Sequence, residues 1–92
     1  MEKPLKLPRE YTDLGTYLAT CRNAVGLTQK KIADKLGYSS AQFISNFERG
    51  IAAPPIKKLK PLIKMVKAEP AKVRDLIIAA ESKILSKELN IR

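Results

Sequence analysis

Apolar residues recur along the chain in five stretches at helical spacing, separated by polar turns. In the first stretch they recur every three or four positions, which places them on one face of a helix, at Leu14, Leu18, Cys21 and Val25. The pattern predicts a helix over about 13–25, capped by Thr12 or Asp13 and ended by Gly26. Cys21 lies on this apolar face, so we expect it to be a core thiol and not a reactive one.

The second predicted helix is short and covers about 29–36. Thr28 is a good N-cap candidate. Gly37 is a good stop signal, because glycine adopts the left-handed conformation of a helix end without strain. The pattern turns three apolar residues inward and three lysines outward: Ile32, Ala33 and Leu36, then Lys30, Lys31 and Lys35.

The third predicted helix runs over 40–47 or 40–49 and follows a tight turn. Ser39, followed three positions later by Gln42, has the form of a capping box. Gly50 ends the helix. The apolar positions at helical spacing are Phe43, Ile44 and Phe47.

A fourth helix is predicted over about 56–67, after the loop 51–55. Pro61 complicates it, because proline is tolerated in a first turn and disruptive beyond it. The helix therefore either starts nearer Lys58 or is kinked. Its inward positions are Leu59, Leu62, Ile63 and Val66.

Pro70 opens a last predicted helix over 71–89, with a broad apolar face of Val73, Leu76, Ile77, Ala80, Ile84 and Leu85. No segment has the pattern of a strand, so the five helices predict an all-α bundle. We expect one domain over 11–92. The basic segment 1–10 contains two prolines and is expected to be a flexible arm, either a frayed terminus or an arm that reaches DNA.

Charge is the first indication of function. Eighteen Lys and Arg oppose nine Asp and Glu, a net charge of +9, and the sequence pI is about 9.9. Residues 28–67 hold nine basic and two acidic side chains, which is +7 of that total. Between Arg49 and Lys67 there are six basic residues and no acid. Such an excess favours association with polyanions, either nucleic acid or an anionic membrane surface.

Several chemistries lack the residues they need. The sequence has no histidine, which excludes His-containing zinc fingers and His-dependent catalytic triads. Its single cysteine excludes an internal disulfide. No apolar run approaches a membrane span, and the N-terminus has no apolar secretory core. We therefore expect a cytoplasmic protein that is not an enzyme and needs no cofactor, and one that is nucleoid-associated if the polyanion it binds is DNA.

The segment 28–50 has what two short helices need to meet at a steep angle: Gly37 at the turn, and the small Ala33 one helical turn earlier. From 26 to 50 the chain resembles the phage repressor and Cro class of helix-turn-helix proteins, the xenobiotic-response-element family. The matching positions are Leu18, Arg22, Gly26, Leu27, Thr28, Gln29, Ile32, Ala33, Leu36, Gly37, Ile44, Ser45, Glu48, Gly50, Pro54 and Leu59. The resemblance covers roughly 14–67 and implies a lambda-repressor-like domain.

The turn before the third helix departs from the family pattern, with one residue more than the commonest spacing between Gly37 and Ile44. The resemblance makes the third helix the recognition helix, with its N-terminal part against base edges. An amide matches the N6 and N7 atoms of adenine. Gln42 is thus a base reader or only completes the capping box, whereas Asn46 has no such local role. The full set of expected base contacts is Ser40, Ala41, Gln42, Ser45 and Asn46.

The resemblance also assigns roles around the recognition helix. Gln29 is expected to contact a phosphate and to brace the recognition helix. Arg22 and Glu48 are expected to form an internal ion pair. Thr28 begins a helix whose N-terminal N–H groups favour an anion. The full set of expected phosphate contacts is Thr28, Gln29, Lys30, Lys31, Arg49, Lys57, Lys58 and Lys60.

These expectations describe a DNA-binding repressor or autoregulator that binds a palindromic operator as a homodimer, with 71–89 as the dimer surface. Helix five could instead only complete the bundle. A protein-interaction module or an antitoxin with a small protein partner is the alternative. A membrane-surface protein is less favoured, because the apolar faces of the last helices are needed for the core.

Overall fold

The structure, a computed structural model, describes residues 10–91. In this range the chain forms five helices: α1 (Thr12–Ala24), α2 (Gln29–Leu36), α3 (Gln42–Glu48), α4 (Ile56–Val66) and α5 (Pro70–Glu88). The described residues contain no strand, so the all-α, five-helix prediction is confirmed. Nor does this part of the chain hold a helix long and apolar enough to cross a membrane. The predicted arm over 1–10 lies, except for Glu10, outside the described residues.

Aliphatic side chains from all five helices and their connections meet in one core. Helix α1 packs against α3, α4 and α5, and α2 packs against α3 and α4. Burial of each large aliphatic side chain stabilises the fold by roughly 1.5–3 kcal/mol. The buried cluster contains Leu14, Leu18, Ile32, Ala33, Leu36, Ile44, Phe47, Leu62, Val66, Ala68 and Val73. Cys21 is half-buried and packs against this cluster.

The ends of α2 match the prediction. The Oγ1 atom of Thr28 accepts the N–H of Lys31 at 3.1 Å, and Gly37 is left-handed with φ of +83°. The start of α1 does not match, because Tyr11 precedes the helix and makes no side-chain cap hydrogen bond. Thr12 is already the first helical residue, so the cap predicted at Thr12 or Asp13 was wrong.

Helix α4 runs through Pro61 and begins at Ile56, not near Lys58. Pro61 is exposed, and the carbonyl that its missing N–H would bond belongs to Lys57, in the exposed first turn. Water can satisfy that carbonyl, so the proline does not shorten the helix.

Backbone contact without an intervening side chain places α3 against α1. A Cβ atom on Gly15 would collide with the carbonyl groups of Phe47 and Glu48 at the end of α3. Gly50 follows α3 with φ of +78°, and a Cβ there would lie 2.6 Å from the Cα of Thr12. Only glycine fits at either position, so the two glycines set how closely the third helix approaches the first.

Candidate nucleic-acid interface

The third helix begins at Gln42, two residues after its predicted start at Ser40. Ala41 is the N-cap and has no side-chain hydrogen bond. The Oγ atom of Ser40 accepts the N–H of Gln42 at 3.2 Å. The predicted capping box from Ser39 to Gln42 was wrong, because a capping box needs its serine at the N-cap position.

Tyr38 occupies the lengthened turn. Its ring stacks on Phe43 with centroids 4.6 Å apart, and it meets Phe47 edge-on at 6.0 Å. Phe43, one of the three apolar positions at helical spacing on this helix, is 43 % exposed. Burial raises the pKa of the Tyr38 hydroxyl, which has no hydrogen-bond partner among residues 10–91. An aromatic residue beside an unusually long turn was the signal in the sequence that could have indicated this packing.

A charged brace connects α1, α2 and the end of α3. The guanidinium of Arg22 donates from Nε to Glu48 Oε2 at 2.6 Å and from Nη2 to Oε1 at 3.0 Å. Gln29 donates from Nε2 to the same Oε1 at 2.9 Å, and Arg22 also donates to the carbonyl of Leu27. The hydrogen bonds to Glu48 raise the pKa of Arg22, although burial opposes this shift. The brace keeps both charges paired and fixes the rotation of α3.

The expected base contacts differ in where they lie. Gln42 is exposed and Asn46 half-buried, one helical turn apart on α3. The Nε2 atom of Gln42 donates to Oδ1 of Asn46 at 2.8 Å. Asn46, for which no capping role was expected, thus makes a different local contact, with Gln42. Ser45 is half-buried on the same helix, whereas Ser40 and Ala41 lie in the turn that precedes it.

Six of the eight expected phosphate contacts are cations, and of these Lys58 alone is half-buried. Lys58 is half-buried, and its Nζ donates to the carbonyl of Leu36 at the end of α2 at 2.6 Å. It also lies 5.4 Å from the ring centroid of Tyr38. Lys30 pairs with Asp34 on the exposed face of α2. The remaining cations are exposed: Lys31, Arg49, Lys57 and Lys60.

Sequence reasoning missed two contacts that position the helices. The first is the close backbone approach at Gly15, which an isolated glycine within a helical pattern can signal. The second is Tyr17, whose hydroxyl accepts the N–H of Glu69 at the start of α5 at 2.9 Å. No local pattern indicates the second contact, because it joins residues 52 positions apart.

Two short helices joined by a turn, the second held by a charged brace at its end and carrying amide side chains on its other face, define a helix-turn-helix protein. The helix-turn-helix family HTH_3 matches residues 18–69, more than half of the chain. The chain belongs to this XRE-type helix-turn-helix family of DNA-binding transcriptional regulators. Proteins of this family are generally not enzymes.

Two solved structures of the clp gene regulator ClgR from Corynebacterium glutamicum resemble this chain. One is 31 % identical over 88 % of this chain and 97 % of that chain, with a TM-score of 0.59. The other is 22 % identical over 92 % and 86 % of the two chains, with a TM-score of 0.60, and shows the likeness of the fold alone. No curated protein matches the sequence.

Proposed function

We propose that this protein is a sequence-specific transcriptional regulator, a repressor or autoregulator that binds a palindromic operator as a homodimer. In this proposal 11–92 is one domain that binds with α3 in the major groove and α2 across the sugar–phosphate backbone. In this setting the protein works on the chromosome, in the cytoplasm. Its resemblance to a clp gene regulator supports a role in gene regulation.

The brace of Arg22, Glu48 and Gln29 is the observation that carries the proposal. It ties the end of α3 to α1 and α2, and the opposite face of α3 carries two side-chain amides, an exposed Gln42 and a half-buried Asn46. A recognition helix has to be held rigidly from behind, because a base contact tolerates little misplacement. Gln42 and Asn46 are the residues on which we propose that base recognition mainly depends, with Ser40, Ala41 and Ser45 beside them.

Phosphate contacts orient the domain and supply the salt-dependent part of the affinity. Exposed cations lie on α2, at the end of α3 and on α4, and they are the proposed contacts: Lys30, Lys31, Arg49, Lys57 and Lys60. Thr28 caps α2, whose N-terminal N–H groups favour a phosphate. Lys58 donates one N–H of its ammonium group to the Leu36 carbonyl. We therefore propose that it adds to phosphate binding mainly through its positive charge.

An exposed apolar stripe on α5 supports the homodimer. Ile78, Leu85 and Leu89 recur at spacings that share one helix face and are 57 %, 58 % and 64 % exposed. Two copies that bury these stripes against each other would place two recognition helices on half-sites ~34 Å apart, or a multiple of that distance.

Selection of bound duplexes from a random DNA pool tests the proposed function. We expect an enriched palindrome whose affinity exceeds that of random DNA by ~10³-fold or more and falls steeply with salt. A steep salt dependence without an enriched sequence would instead indicate a nonspecific DNA-coating protein. The absence of binding at low salt would overturn the DNA-binding role.

The same α5 stripe also fits a second candidate, an antitoxin or interaction module in which a small protein covers Ile78 and Leu85. Co-purification from native cells separates the two. A stoichiometric small partner in place of a second copy would favour the antitoxin, and a self-associated chain would favour the homodimeric regulator.

A further inference from the structure

The side-chain amides of Gln42 and Asn46, on the face of α3 proposed to contact bases, are hydrogen-bonded to each other. Nε2 of Gln42 donates to Oδ1 of Asn46 at 2.8 Å, and the pair is one helical turn apart. Asn46 has two rotatable side-chain bonds, whereas Gln42 has three. The shorter and partly buried amide therefore restrains the longer and exposed one.

The hydrogen-bonding capacity left on Gln42 suits one base. Its amide nitrogen carries two N–H groups, of which Asn46 takes one. When Asn46 takes the N–H that is trans to Oε1, the N–H cis to Oε1 stays available, and it forms a donor beside an acceptor. This pair complements the N7 acceptor and N6 donor of adenine in the major groove. A Gln42 tied to Asn46 can thus still make the full two-bond contact.

We propose that Gln42 and Asn46 act as one reading unit, in which Gln42 contacts an adenine edge and Asn46 is the positioning residue that aims it. This inference rests on the proposed function, because it concerns how the same α3 face reads duplex DNA. It assigns one A·T pair in each half-site to both residues. Specificity at that pair depends on the contact between the two amides.

Affinity measurements on the selected duplex and on its single-base variants test the unit. Gln42→Ala should lower the preference for the wild-type base at one A·T pair by ~10–100-fold. Asn46→Ala should lower the preference at the same pair. The double variant should show the same loss of base preference as Gln42→Ala alone, because once Gln42 is absent the second substitution removes no further base contact.

The conservative variant Asn46→Asp separates positioning from general structure. Its carboxylate still accepts the Gln42 N–H, so the preference at the A·T pair should persist. The added negative charge should weaken binding to the specific duplex and to random duplexes by the same factor. Lys35→Ala is the control, because Lys35 is exposed on α2 and lies outside the proposed base and phosphate contacts, and it should leave that preference unchanged. Thermal unfolding of each variant confirms that the fold is intact.

Two outcomes would overturn the inference in distinguishable ways. If Gln42→Ala and Asn46→Ala relaxed different base pairs and their losses multiplied in the double variant, the residues would be independent readers and the proposed function would stand. If the wild-type chain enriched no sequence, the proposed function and the inference would fall together.

Discussion

Neighbouring lysines at the start of α4 have different environments, although the sequence presents them as equivalent. Lys57 is exposed, whereas Lys58 donates to the Leu36 carbonyl and lies near the Tyr38 ring. A cation at the C-terminal end of a helix offsets the partial negative charge of the unsatisfied carbonyls there. Lys58 therefore joins α4 to α2 and contributes to the stability of the fold.

Alanine substitution should separate the two lysines. We expect Lys58→Ala to lower the free energy of unfolding by about 1–2 kcal/mol, because it removes a charge-assisted hydrogen bond. Lys57→Ala should change the free energy of unfolding by less than about 0.5 kcal/mol. It should, however, weaken binding to every DNA duplex and reduce the slope of log affinity against log salt concentration by about 0.9. Urea denaturation and affinity against salt measure the two effects. Equal stability of the two variants would contradict the role of Lys58.

Two tyrosine hydroxyls offer a second comparison at the residue scale. The Tyr38 hydroxyl is buried without a partner among the described residues, whereas the Tyr17 hydroxyl accepts the Glu69 N–H. We expect Tyr38→Phe to raise the free energy of unfolding by about 1 kcal/mol and Tyr17→Phe to lower it by about 1 kcal/mol. Urea denaturation at pH 7 measures both. A loss of stability in Tyr38→Phe would contradict the assignment.

The stability difference between the wild-type chain and Tyr38→Phe should also depend on pH. Burial raises the pKa of Tyr38 in the folded chain above its ordinary value of 10.0. Below pH 10 the hydroxyl is neutral in both the folded and the unfolded chain, so its titration does not change the free energy of unfolding. As the pH rises above 10 the unfolded chain ionises first, and stability falls until the folded pKa is passed. The Tyr38→Phe variant should lose stability less steeply in this range.

The close contact between α1 and α3 is the decisive feature at the scale of elements. Gly15 brings the two backbones together, and the ion pair of Arg22 and Glu48 joins the same two helices. Within a helix, alanine is ordinarily more stable than glycine by about 1 kcal/mol. Here the carbonyl groups of α3 occupy the space that a methyl group would need.

We therefore expect Gly15→Ala to lower the free energy of unfolding by about 2–3 kcal/mol, against the helix propensity, because α1 and α3 have to move apart. Gly26→Ala is the matched control. Gly26 has φ of +76° and open space around its Cβ position, so only backbone strain of about 1–2 kcal/mol opposes alanine there. Thermal unfolding compares the two. A stabilised Gly15→Ala variant would show that α3 lies further away.

At the scale of the molecule, exposed cations concentrate on α2 to α4, and an exposed apolar stripe lies on α5. Part of the α5 face is used by the fold itself, since Val73 and Ala80 are buried. The rest remains in solvent in a single chain. A dimer that covers the stripe would leave the cationic helices available to DNA.

Leu85→Gln should shift the chain from dimer to monomer and weaken binding to a palindrome far more than binding to a single half-site, because one apolar contact is lost from each copy. Ile56→Gln is the control. Ile56 is 86 % exposed but lies on α4, so this substitution should leave the dimer intact. Analytical ultracentrifugation gives the mass of each variant. A monomeric wild-type chain would contradict the proposed interface.

The sequence by itself determined the helices and their order. Apolar spacing and stop glycines located all five helices to within a residue or two at most ends, because these signals act locally. The family resemblance identified the third helix as the expected recognition helix and assigned roles to the residues around it. These include Arg22, Glu48 and Gln29, which the structure brings into one hydrogen-bonded brace.

The tertiary structure decided what depends on distant contacts. It brought the carbonyl groups of Phe47 and Glu48 against Gly15, and the hydroxyl of Tyr17 to the N–H of Glu69. It also distinguished Lys58 from the neighbouring lysines, because Lys58 donates to the carbonyl of Leu36, 22 residues away. Helical periodicity specifies the face on which a side chain lies. Its partner depends on how the helices pack, and that packing is fixed only when the whole core closes.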